Sequence, residues 1–556
     1  MHRSSLGFGA LAGIITSLAV MALLYLGQQI AGFAFVPFDL FDWLARVLPG
    51  DLITLGIDLI VNIVGFFGLG ATDTAAKTIE QLMALLLFAG AGALFGLAIA
   101  WITRPRAPGS EGTGLGIGAI AGSVALLIVL IVEYSLDGAE LSFGGILWLA
   151  AVFVGWGAFL GRLLSPQVEA SADEELHSDR RQMLLKLIGG SAGIAITAWG
   201  LGSLFGAPDE DTGAARPLVD ASVTPSTPVL TPTPVGEAVA PDEAPTPTQQ
   251  LAAEATVRER IAPAPGTRDE LTSNEDFYRI DINIRSPVLH EDEWVLATGG
   301  LFADSRDLSL DDLMAFPSAT QPITLSCISN RIGGDLIGTS NWSGARLRDV
   351  IESLGIQPEA RALVLTAADG FHETIVMKDM LDPRTLLVYG MNGETLPVDH
   401  GFPLRIYIPN RYGMKQPKWI VGMTAVPEEE DGYWVKRGWS REARPQIVSV
   451  IDSVALDQPT PDGLIPIGGI AWAGDRGIQK VEVQVDDEPW VQASLLTPPL
   501  SPLTWVQWRY DWPVQSGRHT IRVRAIDGTG ELQIEEQSGV RPDGATGYHQ
   551  ERVSVS

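Results

Sequence analysis

The chain has 556 residues, a formal net charge of −28 and one cysteine, Cys327. Its length predicts several domains, since a typical domain holds roughly 100 to 200 residues. The acidic balance argues against a nucleic-acid partner, because a phosphate-binding surface needs clustered lysine and arginine. A single cysteine excludes an intramolecular disulfide, a CxxC redox pair, a cysteine-ligated iron–sulfur cluster and a CxxCH haem attachment site.

Residues 1–206 contain long apolar stretches separated by short charged loops, a pattern typical of a membrane-spanning helical region. Five stretches are long enough to cross about 30 Å of hydrocarbon at 1.5 Å per residue. They are residues 6–35, 79–102, 114–134, 143–161 and 183–205. A sixth stretch, 51–71, carries Asp51, Asp58 and Asn62, and we interpret it as re-entrant or interfacial.

The charges of the connecting loops predict the orientation of this region. Lysine and arginine concentrate near residue 3, in loop 104–106 and in 162–186, whereas the loop 133–140 is acidic. The positive-inside rule then places the remainder of the chain outside the cytoplasm, on a multi-pass plasma-membrane protein. None of the seven histidines lies in a predicted span. We therefore expect a membrane anchor without haem, rather than a transport pathway lined by ionisable residues.

Arg180 and Arg181, followed by an apolar pair and Lys186, resemble a twin-arginine export signal. The alternative is ordinary positive charge flanking a span. The export interpretation gains weight if the downstream domain carries a cofactor that is inserted in the cytoplasm, because this route moves folded proteins.

Three further regions follow the predicted membrane region, 1–206. Residues 207–265 are rich in proline and threonine and have few large apolar residues, which predicts an extended linker. Residues 266–444 mix short strands with short helices, including one over "SLDDLMAF" that Ser309 would cap, and predict an α+β domain. Residues 445–556 contain short alternating strands separated by Gly, Pro and Asp, which is typical of an immunoglobulin-like sandwich.

An ordered set of motifs runs through residues 277–490. It comprises "FYRID", then "TLSCISNRIGGDLIGTSNWSGARLRDVI", then "DHGFPLRIYIPNRYGMKQPKWI", and finally "GIAWAGDRGIQKVEVQVDDEPW". In this order they resemble the sulfite oxidase family of molybdenum enzymes. The resemblance implies an α+β domain that holds one molybdopterin, followed by an immunoglobulin-like domain through which family members commonly form homodimers.

The resemblance also assigns roles to individual residues. Cys327 matches the thiolate ligand of molybdenum, a soft donor suited to that metal. Arg279 matches an arginine that binds an anionic substrate. The residues that match cofactor-binding positions are Phe277, Tyr278, Arg279, Asp281, Cys327, Asp369, His400, Arg405 and Lys418. Fixed donors and positive charge at the last three would offset the phosphate dianion of the pterin.

Two departures from the family pattern concern the substrate. Ile332 follows Arg331, where the animal enzymes have a second arginine, and Trp439 stands where sulfite oxidases place a catalytic tyrosine. A tryptophan can donate a hydrogen bond but cannot exchange a proton as a phenol does. The implied reaction is two-electron oxygen-atom transfer at molybdenum with Arg279, Trp439 and Arg437 at the substrate, and the departures weigh against sulfite.

Two alternatives remain open on the residues alone. The first is a reductase that uses the same cofactor on a sulfoxide or an N-oxide. The second is a non-enzymatic, membrane-tethered immunoglobulin-like binding protein, which would contain no metal. For the enzyme, the lack of a second redox motif in the sequence predicts a separate electron carrier, most simply a c-type cytochrome.

Overall fold

The structure is a computed structural model that describes residues 6–50, 52, 55–56, 72–103, 111–136, 141–165, 176–205 and 262–555. The chain forms two compact units. The first comprises Met1–Thr212, Asp281–Ser286 and Ala368–Gly370; the second comprises Gly213–Ile280, Pro287–Ala367 and Phe371–Ser556. Nearly all of the stretch 51–71, interpreted as re-entrant or interfacial, and nearly all of the linker 207–265 lie outside the described residues.

The first unit is helical in its described part. Its helices are α1 (Leu6–Ala31), α2 (Val36–Val47), α3 (Thr72–Thr103), α4 (Glu111–Ser135), α5 (Phe143–Leu164) and α6 (Leu176–Phe205). By length and composition, α1, α3, α4 and α5 could each cross a membrane. They contain most or all of four of the five predicted spans. The fifth lies on α6, whose apolar stretch within the described residues, Leu185–Leu201, is shorter.

Glycines allow two pairs of these helices to pack closely. A Cβ on Gly96 of α3 would lie 2.2 Å from the carbonyl oxygen of Gly9 in α1. Likewise, a Cβ on Gly118 of α4 would lie 2.0 Å from the carbonyl oxygen of Gly157 in α5. Small residues at such crossings allow two helix backbones to approach closely. Gly9, Gly96, Gly118 and Gly157 are therefore packing positions.

Helix α2 gives the first unit a polar cluster within its own residues. The Oδ1 atom of Asp42 accepts a hydrogen bond from the backbone N–H of Ile284 at 3.1 Å. Arg46 donates to the backbone oxygen of Asp369 at 2.6 Å. The guanidinium of Arg285 lies 4.7 Å from the centre of the Phe38 ring. Side chains of this short helix thus bind the segments that contain Ile284 and Asp369.

The second unit begins with two mixed layers of strands and short helices. One sheet has the order β2-β3-β6-β7, with β8 paired to β6, and is antiparallel; the other has the order β1-β9-β4-β5, in which only β1 and β9 are parallel. The strands are β1 (Ala297–Gly300), β2 (Ser318–Ser326), β3 (Ile337–Arg346), β4 (Ala362–Ala367), β5 (His372–Val376), β6 (Leu386–Met391), β7 (Glu394–Thr395), β8 (Arg405–Tyr407) and β9 (Ile420–Val426). The helices are α7 (Leu310–Met314), α8 (Leu347–Ser353) and α9 (Met377–Met380). The predicted capping of α7 by Ser309 is confirmed, since its hydroxyl accepts the backbone N–H of Asp312 in a capping box.

The remaining strands form two four-stranded sheets that are antiparallel throughout. Their orders are β10-β11-β15-β14 and β13-β12-β16-β17. The strands are β10 (Val448–Val454), β11 (Ile465–Trp472), β12 (Ile478–Val485), β13 (Val491–Gln492), β14 (Ser494–Leu495), β15 (Val506–Trp512), β16 (Gly517–Asp527) and β17 (His549–Val555). Ile467 and Trp508 of the first sheet share one core with Val481 and Val523 of the second. Alternating burial along β16 matches the period of two expected when one face of a strand packs on a core.

Candidate active site

Cys327 lies at the end of β2 in a loop that is closed by its own backbone. Its N–H donates to the carbonyl oxygen of Leu336 at 3.0 Å, and its carbonyl oxygen accepts the N–H of Asn330 at 3.1 Å. The Oδ1 atom of Asn330 accepts the N–H of Leu336 at 3.1 Å. A Cβ on Gly334 would lie 2.4 Å from this same oxygen, so the position requires glycine. The residues that follow the cysteine therefore fix the loop that presents the sulfur.

The thiol itself is buried and has one polar side-chain neighbour. Its Sγ lies 3.0 Å from the hydroxyl oxygen of Ser329. Burial raises the pKa of Cys327, while hydrogen bonds from Ser329 and the positive charge of Lys418 act in the opposite direction. Lys418, which lies far from Cys327 in the chain, is therefore within electrostatic reach of the sulfur.

A second group of predicted residues surrounds His400. The guanidinium of Arg405 is buried, donates to the carbonyl oxygen of His400 at 3.0 Å and lies 4.7 Å from the centre of the Trp342 ring. A ring nitrogen of His400 lies 2.9 Å from the carbonyl oxygen of Asn274. The ammonium of Lys418 donates to the carbonyl oxygen of Asp399 at 2.9 Å. The motif "DHGFPLR" and the later Lys-Trp pair thus form one site.

The charge around His400 is predominantly positive. Burial, followed by the charges of Lys418 and Arg405, lowers the pKa of His400 to about 4. The imidazole is therefore neutral near pH 7, while two cations remain close to it. Arg279 also contributes here, because its Nη1 lies 3.1 Å from a carboxylate oxygen of Asp399. Burial disfavours a charge of either sign, whereas the positive charges of Lys418 and Arg405 would attract an anion.

Phe277 and Tyr278 connect the cysteine loop to the group around His400. The Phe277 ring stacks on Tyr278 at 5.2 Å and contacts His400 edge-on at 5.5 Å between ring centres. On the other side, a Cβ on Gly413 would lie 3.0 Å from the Tyr278 hydroxyl and 3.9 Å from the Cα of Cys327. Burial and the nearby Cys327 raise the pKa of Tyr278. The structure thus brings both aromatic residues together with Cys327 and His400.

Two predicted cofactor contacts are not grouped with these residues. Asp281 and Asp369 belong to the first compact unit. The backbone oxygen of Asp281 accepts a hydrogen bond from Lys77 at 3.3 Å, and that of Asp369 accepts one from Arg46. Their expected pterin contacts stay predictions.

Trp439 and Arg437 lie in the segment that follows β9. Trp439 is buried and shares an apolar cluster with Ile328, the residue directly after the cysteine, and with Tyr412. Its indole Nε1 has no hydrogen-bond partner among the described residues. The guanidinium of Arg437 lies 3.6 Å from the centre of the Tyr433 ring and donates to the carbonyl oxygen of that residue.

The sequence did not single out three features of this site. Tyr412 is buried, accepts the backbone N–H of Gln446 at 3.0 Å, and has a pKa raised to about 12 by burial. Glu373 and Lys415 form a buried ion pair at 2.8 Å. The third is the contact of Ser329 with the sulfur. Tyr412, Lys415 and Ser329 lie inside the quoted motifs, and those motifs could have drawn attention to them. The sequence gives no such indication for Glu373, because only the fold brings it to Lys415.

Comparisons with known proteins show which families and proteins this chain is similar to. Residues 283–434 match the family described as oxidoreductase molybdopterin binding domain. The chain is 30% identical over 269 residues to a sulfite oxidase of Arabidopsis thaliana, covering 39% of this chain and 68% of that protein. It is 33% identical over 168 residues to the uncharacterized oxidoreductase YuiH of Bacillus subtilis, covering 29% and 83%.

The match to other relatives is partial. The chain spans 59% of the mitochondrial sulfite oxidase of Drosophila melanogaster and 57% of the human one. Among solved structures, the sulfane dehydrogenase SoxCD of Paracoccus pantotrophus aligns with 58% of this chain and 96% of that chain, at a TM-score of 0.44 and 21% identity. Because the chain is at least 30% identical to two relatives and covers more than two thirds of each, it belongs to the sulfite oxidase family of molybdopterin-binding oxidoreductases and is an enzyme.

Proposed function

We propose that this chain is a membrane-anchored molybdenum-cofactor oxidoreductase that carries out oxygen-atom transfer on a small anionic substrate outside the cytoplasm. The observation that carries the proposal is the single site formed by Cys327, the Phe277–Tyr278 pair and the group around His400. The farthest of these residues along the chain, Phe277 and Lys418, are 141 positions apart. The fold brings these residues together, and their side chains are of the kinds that would bind a molybdenum–pterin cofactor.

The residues present fit a molybdenum–pterin group. Cys327 offers a buried sulfur, a soft ligand of the kind that such metals bind as thiolate. Arg405 and Lys418 supply positive charge beside a neutral His400, as a phosphate dianion requires. When bound, the cofactor supplies the two-electron oxygen-atom chemistry. The protein holds the sulfur ligand, binds the phosphate and shapes the substrate pocket.

Arg279, Arg437 and Trp439 are proposed to orient the substrate. The arginines attract an oxyanion by charge. The buried Nε1–H of Trp439 is a donor whose acceptor is missing among the described residues, and an unsatisfied buried donor costs about 1–3 kcal/mol. A substrate oxygen at that position would remove this cost. Since an indole cannot exchange a proton, this donor binds but does not act as an acid, which supports a substrate other than sulfite.

The same proposal extends to the domain organisation. We assign 1–206 as the membrane region, 207–265 as linker, 266–444 as the molybdopterin domain and 445–556 as an immunoglobulin-like domain that mediates a homodimer. Two antiparallel four-stranded sheets with a common core support the last assignment. Four helices of spanning length support the first.

Export and electron transfer complete the proposal. A domain that receives its cofactor in the cytoplasm must cross the membrane folded, which gives Arg180 and Arg181 a role in twin-arginine export. The electrons of the reaction pass to a separate carrier, and we propose a c-type cytochrome. No haem is assigned to this chain.

The function is tested with Cys327→Ser in the full-length protein. Molybdenum is measured by mass spectrometry, pterin by fluorescence after release, and turnover with ferricyanide against a panel of oxyanions. We expect retained pterin and loss of turnover, since many other contacts hold the pterin. Wild-type turnover in this variant would refute the role of the sulfur. Purified wild-type protein without molybdenum or pterin would refute the enzyme proposal and favour a binding protein.

The direction of catalysis is decided in the same preparation. A reduced viologen dye replaces ferricyanide, and sulfoxides and N-oxides replace the oxyanions. We expect dye oxidation to be slower than ferricyanide reduction with the best oxyanion. The opposite ranking would make the chain a reductase on the same cofactor.

A further inference from the structure

The hydroxyl of Ser329 lies at the sulfur of Cys327. The Ser329 Oγ to Cys327 Sγ distance is 3.0 Å, which is a hydrogen-bonding distance. The hydrogen bonds among Cys327, Asn330 and Leu336 close this loop on both sides of the serine, so the backbone holds Ser329 near the sulfur. The contact is therefore built into the loop.

The direction of this hydrogen bond depends on the state of the sulfur. In the free thiol, either Cys327 or Ser329 can donate, because a hydroxyl has one donor and two acceptor positions. A thiolate that ligates a metal carries no proton. Ser329 is then the donor, and a hydrogen bond to an anionic acceptor is stronger than one between neutral groups.

We propose that Ser329 is a positioning residue that tunes the metal through its ligand. Its O–H donates to the Cys327 thiolate and draws electron density away from the sulfur, so that less density reaches the metal. The reduced state is favoured as a result, because hydrogen bonds to sulfur ligands are one of the means by which proteins set reduction potentials. This inference rests on the proposed function, in which Cys327 is the ligand.

The neighbouring serine provides a matched control. The hydroxyl of Ser326 donates to the backbone oxygens of Cys327 at 3.2 Å and Leu336 at 3.4 Å. It is the same residue type, ends β2 directly before the cysteine and is more buried, yet its bond goes to the backbone. Ser326→Ala therefore reports the effect of losing a nearby serine hydroxyl without losing the bond to the sulfur.

The experiment uses the full-length, cofactor-loaded protein and four variants: Ser329→Ala, Ser329→Thr, Ser326→Ala and Cys327→Ala. The readouts are the sulfur-to-molybdenum charge-transfer absorption band and the midpoint potential from an optical redox titration. For Ser329→Ala we expect the band to move to lower energy and the midpoint to become more negative. A tenfold change in the ratio of reduced to oxidised protein corresponds to about 30 mV for a two-electron couple. Ser329→Thr should restore the wild-type values, and Ser326→Ala should leave both unchanged.

The outcomes separate this inference from the proposed function. If Cys327→Ala keeps the wild-type band, the sulfur is not the ligand and both proposals fail. If Cys327→Ala loses the band while loaded Ser329→Ala has the wild-type band and midpoint, only the role of Ser329 is wrong. A loaded Ser329→Thr that behaves like Ser329→Ala, or a Ser326→Ala that shifts as far, also overturns it. Should Ser329→Ala fail to retain cofactor, Ser329→Gly removes the same hydroxyl and is judged by the same criteria.

Discussion

The ion pair between Glu373 and Lys415 gives the sharpest stability prediction. Their side chains are 0% and 9% exposed, and the Lys415 ammonium lies 2.8 Å from Oε1 of Glu373. Lys415 ends the 3₁₀ turn that starts at Gly413, and Gly413 packs against Tyr278 and Cys327. We therefore predict that Lys415→Met destabilises the fold that holds the sulfur.

The magnitude follows from what Glu373 would lose. Its Oε1 also accepts the backbone N–H of Thr374 at 2.8 Å, but its Oε2 has no hydrogen-bond partner among the described residues. Without Lys415 the carboxylate keeps one donor in a dry environment. Removing one partner of a buried ion pair typically costs 3–5 kcal/mol. For a domain of 150–250 residues, this corresponds to a fall in Tm of roughly 6–20 °C.

The pH dependence has a definite sign. Burial already raises the pKa of Glu373 above its usual value, although Lys415 opposes the shift. In Lys415→Met that opposition is gone, so the pKa in the folded state rises further above that in the unfolded state. A raised carboxyl pKa gives stability that is present at low pH and lost as pH increases. The deficit of the variant should therefore shrink as pH is lowered from 8 towards about 5.

The assay is thermal unfolding of the full-length protein in detergent, followed by tryptophan fluorescence. Lys436→Met is the matched control, because Lys436 is exposed and its ammonium lies 3.0 Å from a ring nitrogen of His372 rather than from a buried carboxylate. Replacing both partners, with Glu373→Gln and Lys415→Met together, should recover much of the loss, since no buried charge is left unpaired. If the Tm of Lys415→Met lies within about 2 °C of the Lys436→Met control, less than about 1 kcal/mol was lost and the reasoning is refuted.

Three further predictions concern the site and its surroundings. Arg405→Met removes a buried charge-assisted donor worth about 1.5–3 kcal/mol, so the affinity for the pterin should fall roughly 10- to 100-fold. The measurement is the amount of pterin and molybdenum that the protein retains on dilution, and full retention would contradict the prediction. In cofactor-free protein, His400 has a pKa of about 4, so its contribution to the free energy of unfolding is fully present above pH 6.5. About 3 kcal/mol of this contribution is lost as pH falls to 4. If His400→Gln leaves the pH profile of Tm unchanged, the prediction is wrong. Ser309→Ala breaks the capping box with Asp312 at a cost of about 1 kcal/mol, and Tm should fall by roughly 2–4 °C.

The sequence predicted local structure better than the contacts that support the candidate site. Ser309 could be assigned as a cap because capping depends on residues three positions apart. The loop after Cys327 could be recognised from its Asn-Arg and glycines. By contrast, Glu373 and Lys415 are 42 positions apart and meet only through the fold. No hydrophobic periodicity or sequence motif predicts such a pair.

The helical region shows the same limit. Hydropathy finds long apolar runs, and it found the four helices that could cross a membrane. It drew attention to Asp51 and Asp58 as polar exceptions. Among the described residues, Asp42 and Arg46 make polar contacts from α2, a 12-residue helix that is too short to register as a span. Side chains that bind backbone groups leave no hydropathy signal.

We predict that substrate choice depends on Arg279, which matches the family pattern, and on Trp439, which departs from it. Arg279 already faces the half-exposed carboxylate of Asp399, so a substrate anion would compete with an existing ion pair. Trp439, in contrast, presents a buried N–H with no acceptor among the described residues. On the proposed role of Trp439, we expect a ligand to gain more where it brings an oxygen to the indole than where it only brings charge to Arg279. Selection at this site should then follow the position of an acceptor oxygen more than the net charge of the anion, because a site built to hydrogen-bond a substrate rejects analogues that lack the matching group.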